Sequence, residues 1–235
     1  MTGSAHYWAI VPAAGIGRRM GAGLPKQFLT LGQQTVLEHS LESLWNATRL
    51  KGLVLVSGGH PALASIQARF SDRRLLRAPG GEQRCHSVLN GLKALDGKAQ
   101  ADDWVLVHDA ARPCLRQQDL HKLQQAVESH SVGGLLGFPV HDTMKRADRE
   151  GRVEATVDRS GLWHACTPQM FRYGMLRDAL TRALADGHQV TDESSAMEYA
   201  GHRPLLVESH TDNIKITQPA DLPLAEYFLK QQGRL

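Results

Sequence analysis

The stretch Trp8-Ala-Ile-Val-Pro-Ala-Ala-Gly-Ile-Gly-Arg-Arg-Met-Gly-Ala-Gly-Leu-Pro-Lys26 decides the fold, because an apolar run passes directly into a glycine-rich loop. Residues 8–11 have the small apolar and β-branched composition of a buried strand. The loop carries four glycines and the three cations Arg18, Arg19 and Lys26, and no acidic residue occurs between positions 1 and 37. Such a loop fits a polyphosphate site, and it fits equally well a glycine-rich turn with solvated arginines.

The rest of the chain alternates apolar runs with helical patterns. Further strands are predicted at residues 53–56, 75–76, 104–108, 134–140 and 205–207. Helices are predicted at residues 35–48, 61–70, 87–95, 119–129, 173–185 and 222–232. Thr35 and Glu38 form a capping box at the start of the first helix. Strands that alternate with helices predict a single Rossmann-like α/β domain over residues 1–235, in which helices flank a mostly parallel sheet.

Residues 141–164 break this rhythm, because they are polar and show no helical stripe. Val153, Ala155 and Val157 alternate with polar residues, and Glu150-Gly151 suits a hairpin turn. The pattern predicts a protruding two-stranded β-arm. A two-stranded ribbon is marginal alone, so we expect dimerisation through this arm, the alternative being a surface loop.

Composition bounds the function classes. The 235 residues carry a net charge of +3 and 42% hydrophobic residues, which is typical of a globular protein and too mild a charge to indicate nucleic-acid binding. The three cysteines are far apart and form no C-x-x-C pair, which is typical of a reducing compartment. There is no basic leader with a long apolar run and no stretch of about 18 apolar residues, so we expect a cytoplasmic protein without a membrane segment.

The opening loop matches neither of two common phosphate-binding templates. A Walker A loop needs Gly-Lys-Ser/Thr at a spacing that does not occur after Gly15 and Gly17. A dinucleotide fingerprint needs a third glycine where Met20 stands, and the second strand ends without an acidic residue. The loop is still suited to phosphate binding, because its glycines expose backbone N–H groups and its cations supply positive charge.

Other loops after predicted strands carry residues suited to phosphate or metal. Pro79-Gly-Gly-Glu-Gln-Arg84 is a second glycine turn, followed by Ser87 at the predicted start of a helix. Asp109 suits a ribose hydroxyl or Mg²⁺, and also a helix N-cap. Thr191-Asp-Glu-Ser-Ser195 suits the first turn of a helix, and Lys215 lies in a predicted short apolar strand, at an edge or facing a cleft.

Ten motifs, taken in order, resemble one family. They are Pro12-Ala-Ala-Gly-Ile-Gly-Arg-Arg-Met20, Pro25-Lys-Gln-Phe28, Gly80-Gly81 with Arg84 and Ser87-Val88, His108-Asp-Ala-Ala-Arg-Pro113, Pro139 with Asp142-Thr-Met-Lys145, Thr156-Val-Asp-Arg159, Leu162-Trp163, Thr167-Pro-Gln169, Thr191-Asp-Glu193 and Asp212-Asn-Ile-Lys215. The set is similar to that of the 2-C-methyl-D-erythritol 4-phosphate cytidylyltransferases of the non-mevalonate isoprenoid pathway. Each motif alone is weak, but the ordered set spans nearly the whole chain.

The resemblance implies a nucleotidyltransferase that converts CTP and methylerythritol phosphate to the CDP-alcohol and pyrophosphate with Mg²⁺, held mainly by the CTP phosphates and with Asp109 as a candidate ligand. It implies catalytic roles for Arg19, Lys26, Arg159 and Lys215. It implies a binding site formed by Pro12, Ala13, Ala14, Gly15, Gly81, Glu82, Ser87, Asp109, Ala110, Arg112, Thr143, Thr167 and Thr191. In this family the arm crosses to the partner subunit, so Thr143 and Arg159 would complete the neighbour's site in a homodimer. Glu82 departs from the aspartate that similar proteins often have.

The sequence leaves two alternative functions open. Ribitol phosphate cytidylyltransferases resemble the chain around Pro25-Lys-Gln-Phe28, but favour Leu-Ala-Gly-Gly where this chain has Pro12-Ala-Ala-Gly15. A non-catalytic nucleotide- or RNA-binding module would fit the sequence pI of about 8.8. Aromatic residues do not alternate with the basic ones, which argues against that module.

Overall fold

A computed structural model describes residues 6–15, 24–47 and 50–235 of the protein. In these residues the strands are β1 (Tyr7–Pro12), β2 (Thr30–Leu31), β3 (Gln34–Thr35), β4 (Leu50–Ser57), β5 (Leu75–Pro79), β6 (Trp104–Val107), β7 (Gly133–Pro139), β8 (Met144–Ala147), β9 (Val153–Val157), β10 (Trp163–Arg172) and β11 (Leu205–Glu208). The helices are α1 (Val36–Ala47), α2 (Ala62–Arg69), α3 (Arg84–Lys93), α4 (Gln117–Glu128), α5 (Tyr173–Ala185), α6 (Glu193–Tyr199) and α7 (Asp221–Gln231). A short 3₁₀ turn covers Lys26–Phe28.

The central sheet has the order β11-β7-β10-β6-β1-β4-β5. All its strands are parallel except β10, which runs antiparallel to both β6 and β7. The predicted mostly parallel sheet is therefore confirmed. Strand β10 was not predicted, because its run contains Pro168 and its pairing with β7 is irregular between Ala165 and Gln169. Proline has no N–H to give to the ladder, which weakens the strand pattern.

Helices cover both faces of the sheet. Ala9 and Val11 of β1 pack into the core that holds α1, α2 and α4, whereas Trp8 and Ile10 pack into the core that holds α3, α5 and α6. A strand buried on both faces needs apolar residues at every position, which explains the uninterrupted run in β1. Helix α7 packs in a third cluster with Val36 and other residues beside α1.

This topology places the candidate residues together. Because β1, β4, β5, β6, β7 and β11 are parallel, their carboxyl ends lie along one edge of the sheet, where open α/β sheets bind ligands. The loops that leave this edge include residues 13–15, 80–83, 108–116 and 209–217.

The predicted two-stranded arm is present, but it is shorter than residues 141–164, because Trp163 and His164 already pair with β7 in the central sheet. Strands β8 and β9 form a separate antiparallel sheet, in which Lys145 pairs with Thr156, and Gly151 adopts a left-handed φ of +81° in the turn. The residues of β8 are exposed, and so are those of β9 except the half-buried Val157. Most of the arm's surface is therefore exposed in the single chain.

Two local predictions are wrong. Lys215 does not lie in a strand, because residues 209–217 form an irregular loop after β11. Helix α3 begins at Arg84 rather than near Ser87. The Ser87 hydroxyl instead donates to the carbonyl of Gln83 (3.2 Å), four residues earlier. The capping box of α1 is confirmed by the hydrogen bonds of Thr35 with Glu38.

No helix in the described ranges is long and apolar enough to cross a bilayer. All three cysteines are buried free thiols.

Candidate active site

A buried carboxylate, Asp109, is the centre of the cluster at the carboxyl edge. Its Oδ1 accepts a hydrogen bond from Arg84 Nε (2.9 Å), and its Oδ2 lies 2.8 Å from Lys215 Nζ. The Nε atom of Arg112 lies 3.7 Å from the same Oδ2. These three cations come from α3, from the loop after β11 and from the loop after β6, so the contact joins separate parts of the chain.

The charge of Asp109 is fixed by these neighbours. Burial alone would raise the pKa of the Asp109 carboxyl, but Arg84, Lys215 and Arg112 outweigh burial and hold it well below its usual range. The alternative interpretation of Asp109 as a helix N-cap is wrong, since the next helix begins only at Gln117. Asp109 is a permanent anion inside a cationic cluster.

Arg84 is bound from two sides. Its Nη1 and Nη2 donate to the two carboxylate oxygens of Glu193 at 2.7 and 3.1 Å, while its Nε faces Asp109. Glu193 is the first residue of α6, which Asp192 caps, so the predicted helix start in this segment is confirmed. The sequence motifs contain both residues but predict no role for either. The available signal was an acid in a helix first turn, which usually faces solvent, whereas Glu193 is 2% exposed.

A hydrogen-bonded chain positions Thr167. The backbone N–H of Asp109 donates to Thr167 Oγ1 (3.0 Å), whose hydroxyl donates to Nδ1 of His108 (3.0 Å). His108 Nε2–H donates to the carbonyl of Arg112 (3.0 Å), which assigns the neutral tautomer of the ring. Asn213 donates from its amide to the carbonyl of Thr167 (2.8 Å) and accepts from Arg112 at its own carbonyl (2.6 Å). This series of hydrogen bonds joins β10 to the loops that hold Asp109 and Lys215.

The buried His108 should make the stability of the fold sensitive to acid. Burial lowers the pKa of His108 to about 4 from an ordinary value of 6.5, so the folded state binds fewer protons than the unfolded state between these pH values. Its contribution to stability is fully present above pH 6.5 and is lost as pH falls toward 4, by up to about 3 kcal/mol. We expect His108→Gln to flatten the dependence of Tm on pH in this window.

Thermal unfolding followed by circular dichroism at pH 4 to 7 measures that slope. The exposed His121→Gln on α4 is the matched control. A slope in His108→Gln equal to that of the parent protein would show that His108 does not titrate on unfolding.

Lys26 is bonded to the loop that carries Lys215. Its Nζ donates to the carbonyl of Ile216 (2.6 Å), the residue after Lys215. The buried Gln27 amide donates to the carbonyls of Ala13 (2.7 Å) and Gly15 (3.0 Å), which ties this turn to the opening loop. Lys26 therefore contacts the loop that carries Lys215, whereas the Lys215 ammonium faces Asp109.

The two glycine turns lie against each other. A Cβ on Gly80 would meet the Ala14 Cβ at 2.4 Å, so only glycine allows this approach. The N–H of Gly81 donates to Ser87 Oγ (2.9 Å). Beside them an open depression of about 600 Å³ is lined by Ser57, Gly58, Gly59, Arg77, Ala78, Pro79 and Gly80. The buried Ser57 hydroxyl has no hydrogen-bond partner among the described residues.

The remaining predicted residues divide into two groups. Residues near the cluster or the opening loop are Pro12 at the end of β1, the buried Ala13 and Ala110, the half-buried Ala14 and the exposed Gly15 and Glu82. Thr143 and Arg159 lie on the exposed arm, where Arg159 donates to the carbonyl of His141. Thr191 is exposed just before α6. Arg18 and Arg19 lie outside the described residues.

The described residues do not fit a metal site built from protein ligands alone. They contain no group of three or more His, Cys, Asp or Glu side chains suited to a metal ion. Both oxygens of Asp109 face cations, which disfavours a divalent ion on that carboxylate.

The arrangement suits chemistry between phosphate groups. Cations and glycine turns from several loops meet at the carboxyl edge of a mostly parallel sheet. The hydroxyl–imidazole pair beside Asp109, formed by Thr167 and His108, is buried. Fold and site together define an α/β enzyme of the nucleotidyltransferase class.

Comparison with known proteins identifies the family. A family profile described as 2-C-methyl-D-erythritol 4-phosphate cytidylyltransferase matches residues 7–231. A protein of that name from Pseudomonas entomophila (strain L48) is 55% identical over 218 residues, 92% of each chain. One from Escherichia coli O1:K1 is 52% identical over 223 residues, 94% of this chain and 92% of that protein. The chain belongs to the 2-C-methyl-D-erythritol 4-phosphate cytidylyltransferase family.

Solved structures agree with this assignment. A crystal structure of a 4-diphosphocytidyl-2C-methyl-D-erythritol synthase superposes with a TM-score of 0.84 at 37% identity, covering 96% of this chain and 99% of that one. The cytidylyltransferase of Francisella tularensis gives 0.80 at 32% identity, covering 96% and 100%.

Proposed function

We propose that the protein transfers CMP from CTP to 2-C-methyl-D-erythritol 4-phosphate, a step of non-mevalonate isoprenoid biosynthesis, and releases pyrophosphate. The observation that carries the proposal is the contact of Lys26 with the loop that holds Lys215: Lys26 Nζ donates to the carbonyl of Ile216 (2.6 Å), and Lys215 Nζ lies 2.8 Å from Asp109 Oδ2. Family membership supports both substrates.

The reaction is an in-line attack. An oxygen of the substrate phosphate forms a bond to the α-phosphorus of CTP, and the bond from that phosphorus to the bridging oxygen of pyrophosphate breaks. A phosphate monoester is largely ionised near neutral pH, so no general base is required. The barrier lies in bringing two anions together and stabilising the charge on the transferring group, which positioned cations achieve.

Each loop has a proposed role. Lys26, with Arg19, stabilises the triphosphate. The Ala13–Gly15 loop binds the nucleotide together with Gly81, Glu82 and Ser87. The Asp109 cluster, with Arg112, Thr167 and Lys215, receives the acceptor phosphate. Mg²⁺ would be bound by the CTP phosphates and would neutralise their charge.

We also propose a cytoplasmic location, which the three free buried thiols support.

We further propose that the protein is a homodimer whose arm completes the partner's site. Thr143 and Arg159 lie on the exposed β-arm, whereas Lys26 and Lys215 lie at the sheet edge. If the arm acts in the partner, a Lys26→Ala protomer and an Arg159→Ala protomer together contain one intact site.

Mixing the two inactive variants tests this arrangement. After exchange of subunits we expect about a quarter of the parent activity, because half the dimers are mixed and one of their two sites is intact. No recovery after exchange, verified by mass spectrometry of tagged subunits, would place Arg159 in the site of its own chain.

Pyrophosphate release tests the activity itself. We expect turnover with CTP and methylerythritol phosphate, and little with UTP or ATP. Turnover of ribitol phosphate alone would favour the related cytidylyltransferase class, and CTP binding without pyrophosphate release would favour a non-catalytic module.

A further inference from the structure

The guanidinium of Arg84 links the carboxylates of Glu193 and Asp109. Its two terminal nitrogens donate to both oxygens of Glu193, and its remaining N–H donates to Asp109 Oδ1. Because a guanidinium is planar and rigid, the two bonds to Glu193 also fix the direction in which Arg84 Nε points toward Asp109. Asp109 therefore has its Oδ1 held from α3 and α6.

The carboxylate of Glu193 is used entirely in binding Arg84. Its side chain is 2% exposed, and both its oxygens are taken up by Arg84. Its carboxylate occupies the two nitrogens that would otherwise allow Arg84 to bind Asp109 in a bidentate manner. This leaves Asp109 Oδ2 for the ammonium of Lys215 at 2.8 Å.

We infer that Arg84 and Glu193 are a positioning pair for the acceptor half of the site: Glu193 restrains Arg84 to one contact with Asp109, and Asp109 then directs Lys215 toward the acceptor phosphate. The inference rests on the proposed function, in which Lys215 receives that phosphate. Neither member of the pair needs to touch the substrate.

The electrostatics of the pair are consistent with this role. Burial would lower the pKa of the Arg84 guanidinium, but Glu193 and Asp109 raise it above its usual range, so the cation is permanent. If an uncharged residue replaces Glu193, Arg84 remains positively charged and Asp109 becomes its nearest anion. Arg84 would then compete with Lys215 for the same carboxylate.

Glu193→Gln is the test, because glutamine keeps the size of the side chain and removes the charge. We expect the KM for methylerythritol phosphate to rise about tenfold, with a smaller fall in kcat, since a displaced Lys215 weakens acceptor binding. The KM for CTP should stay within about twofold, because the displacement is confined to the acceptor half. Glu198→Gln, on the same helix and bonded to Ser194 Oγ, is the matched control and should behave as the parent enzyme.

A second variant covers the case in which Glu193→Gln does not fold. Arg84→Lys keeps the positive charge but cannot bridge three carboxylate oxygens, so it should give the same selective rise in the acceptor KM. An unchanged acceptor KM in the folded variants, or an equal rise for both substrates, would overturn the inference. If the parent protein itself releases no pyrophosphate, the proposed function fails instead, and the two failures are distinct.

Discussion

Purified Lys26→Ala is expected to release pyrophosphate 10²- to 10³-fold more slowly than the parent protein while remaining folded, a loss typical of removing one donor that stabilises transition-state charge. Lys26 lies in a turn that the sheet edge holds by other means: Gln27 bonds to the carbonyls of Ala13 and Gly15, and Phe28 stacks on His60 with centroids 4.0 Å apart. The turn should therefore persist without the ammonium.

The measurement is steady-state pyrophosphate release at saturating CTP and methylerythritol phosphate, with thermal unfolding as a check on folding. Lys230→Ala is the matched control, because Lys230 pairs only one helical turn away with Glu226 on the exposed side of α7. A kcat for Lys26→Ala within threefold of the parent would remove Lys26 from the mechanism.

The architecture was predictable because it follows from local patterns. A strand covered on both faces must be apolar throughout, which made β1, β4 and β6 visible, and the alternation at Val153, Ala155 and Val157 revealed the arm. Strand β10 was missed because Pro168 and the irregular pairing between Ala165 and Gln169 interrupt its pattern.

The site was predictable only in part, and for a physical reason. Motifs indicate which residue types gather at a sheet edge, but not which of them pair. Lys215 was assigned to a strand, whereas it lies in an irregular loop held by Asn213 and by the contact with Asp109. The bond between Arg84 and Glu193 spans 109 positions, so no periodicity could reveal it.

Asp109→Asn is expected to lower the free energy of unfolding by about 3–5 kcal/mol at pH 7, the range found when a buried ion pair loses one partner. Asparagine retains an oxygen for Arg84, but its amide N–H groups would face the ammonium of Lys215. Lys215 is 39% exposed and can turn toward solvent, whereas Arg112 is 11% exposed and its buried Nε already has no hydrogen-bond partner. The cost therefore centres on Arg112, a cation left without its anion.

The sign of the pH dependence gives an independent check. Because Asp109 has a folded pKa below its unfolded value of about 3.9, its contribution is present above that pH and is lost as pH falls below it. The difference between parent and variant in urea unfolding should thus be constant from pH 6 to 8 and shrink in acid. Asp148→Asn, which breaks the exposed arm contact with Arg152, is the matched control and should unfold with the parent. A loss for Asp109→Asn no larger than that of the control would mean that the three cations do not need this carboxylate, and the cluster would lose its role as the organiser of the acceptor site.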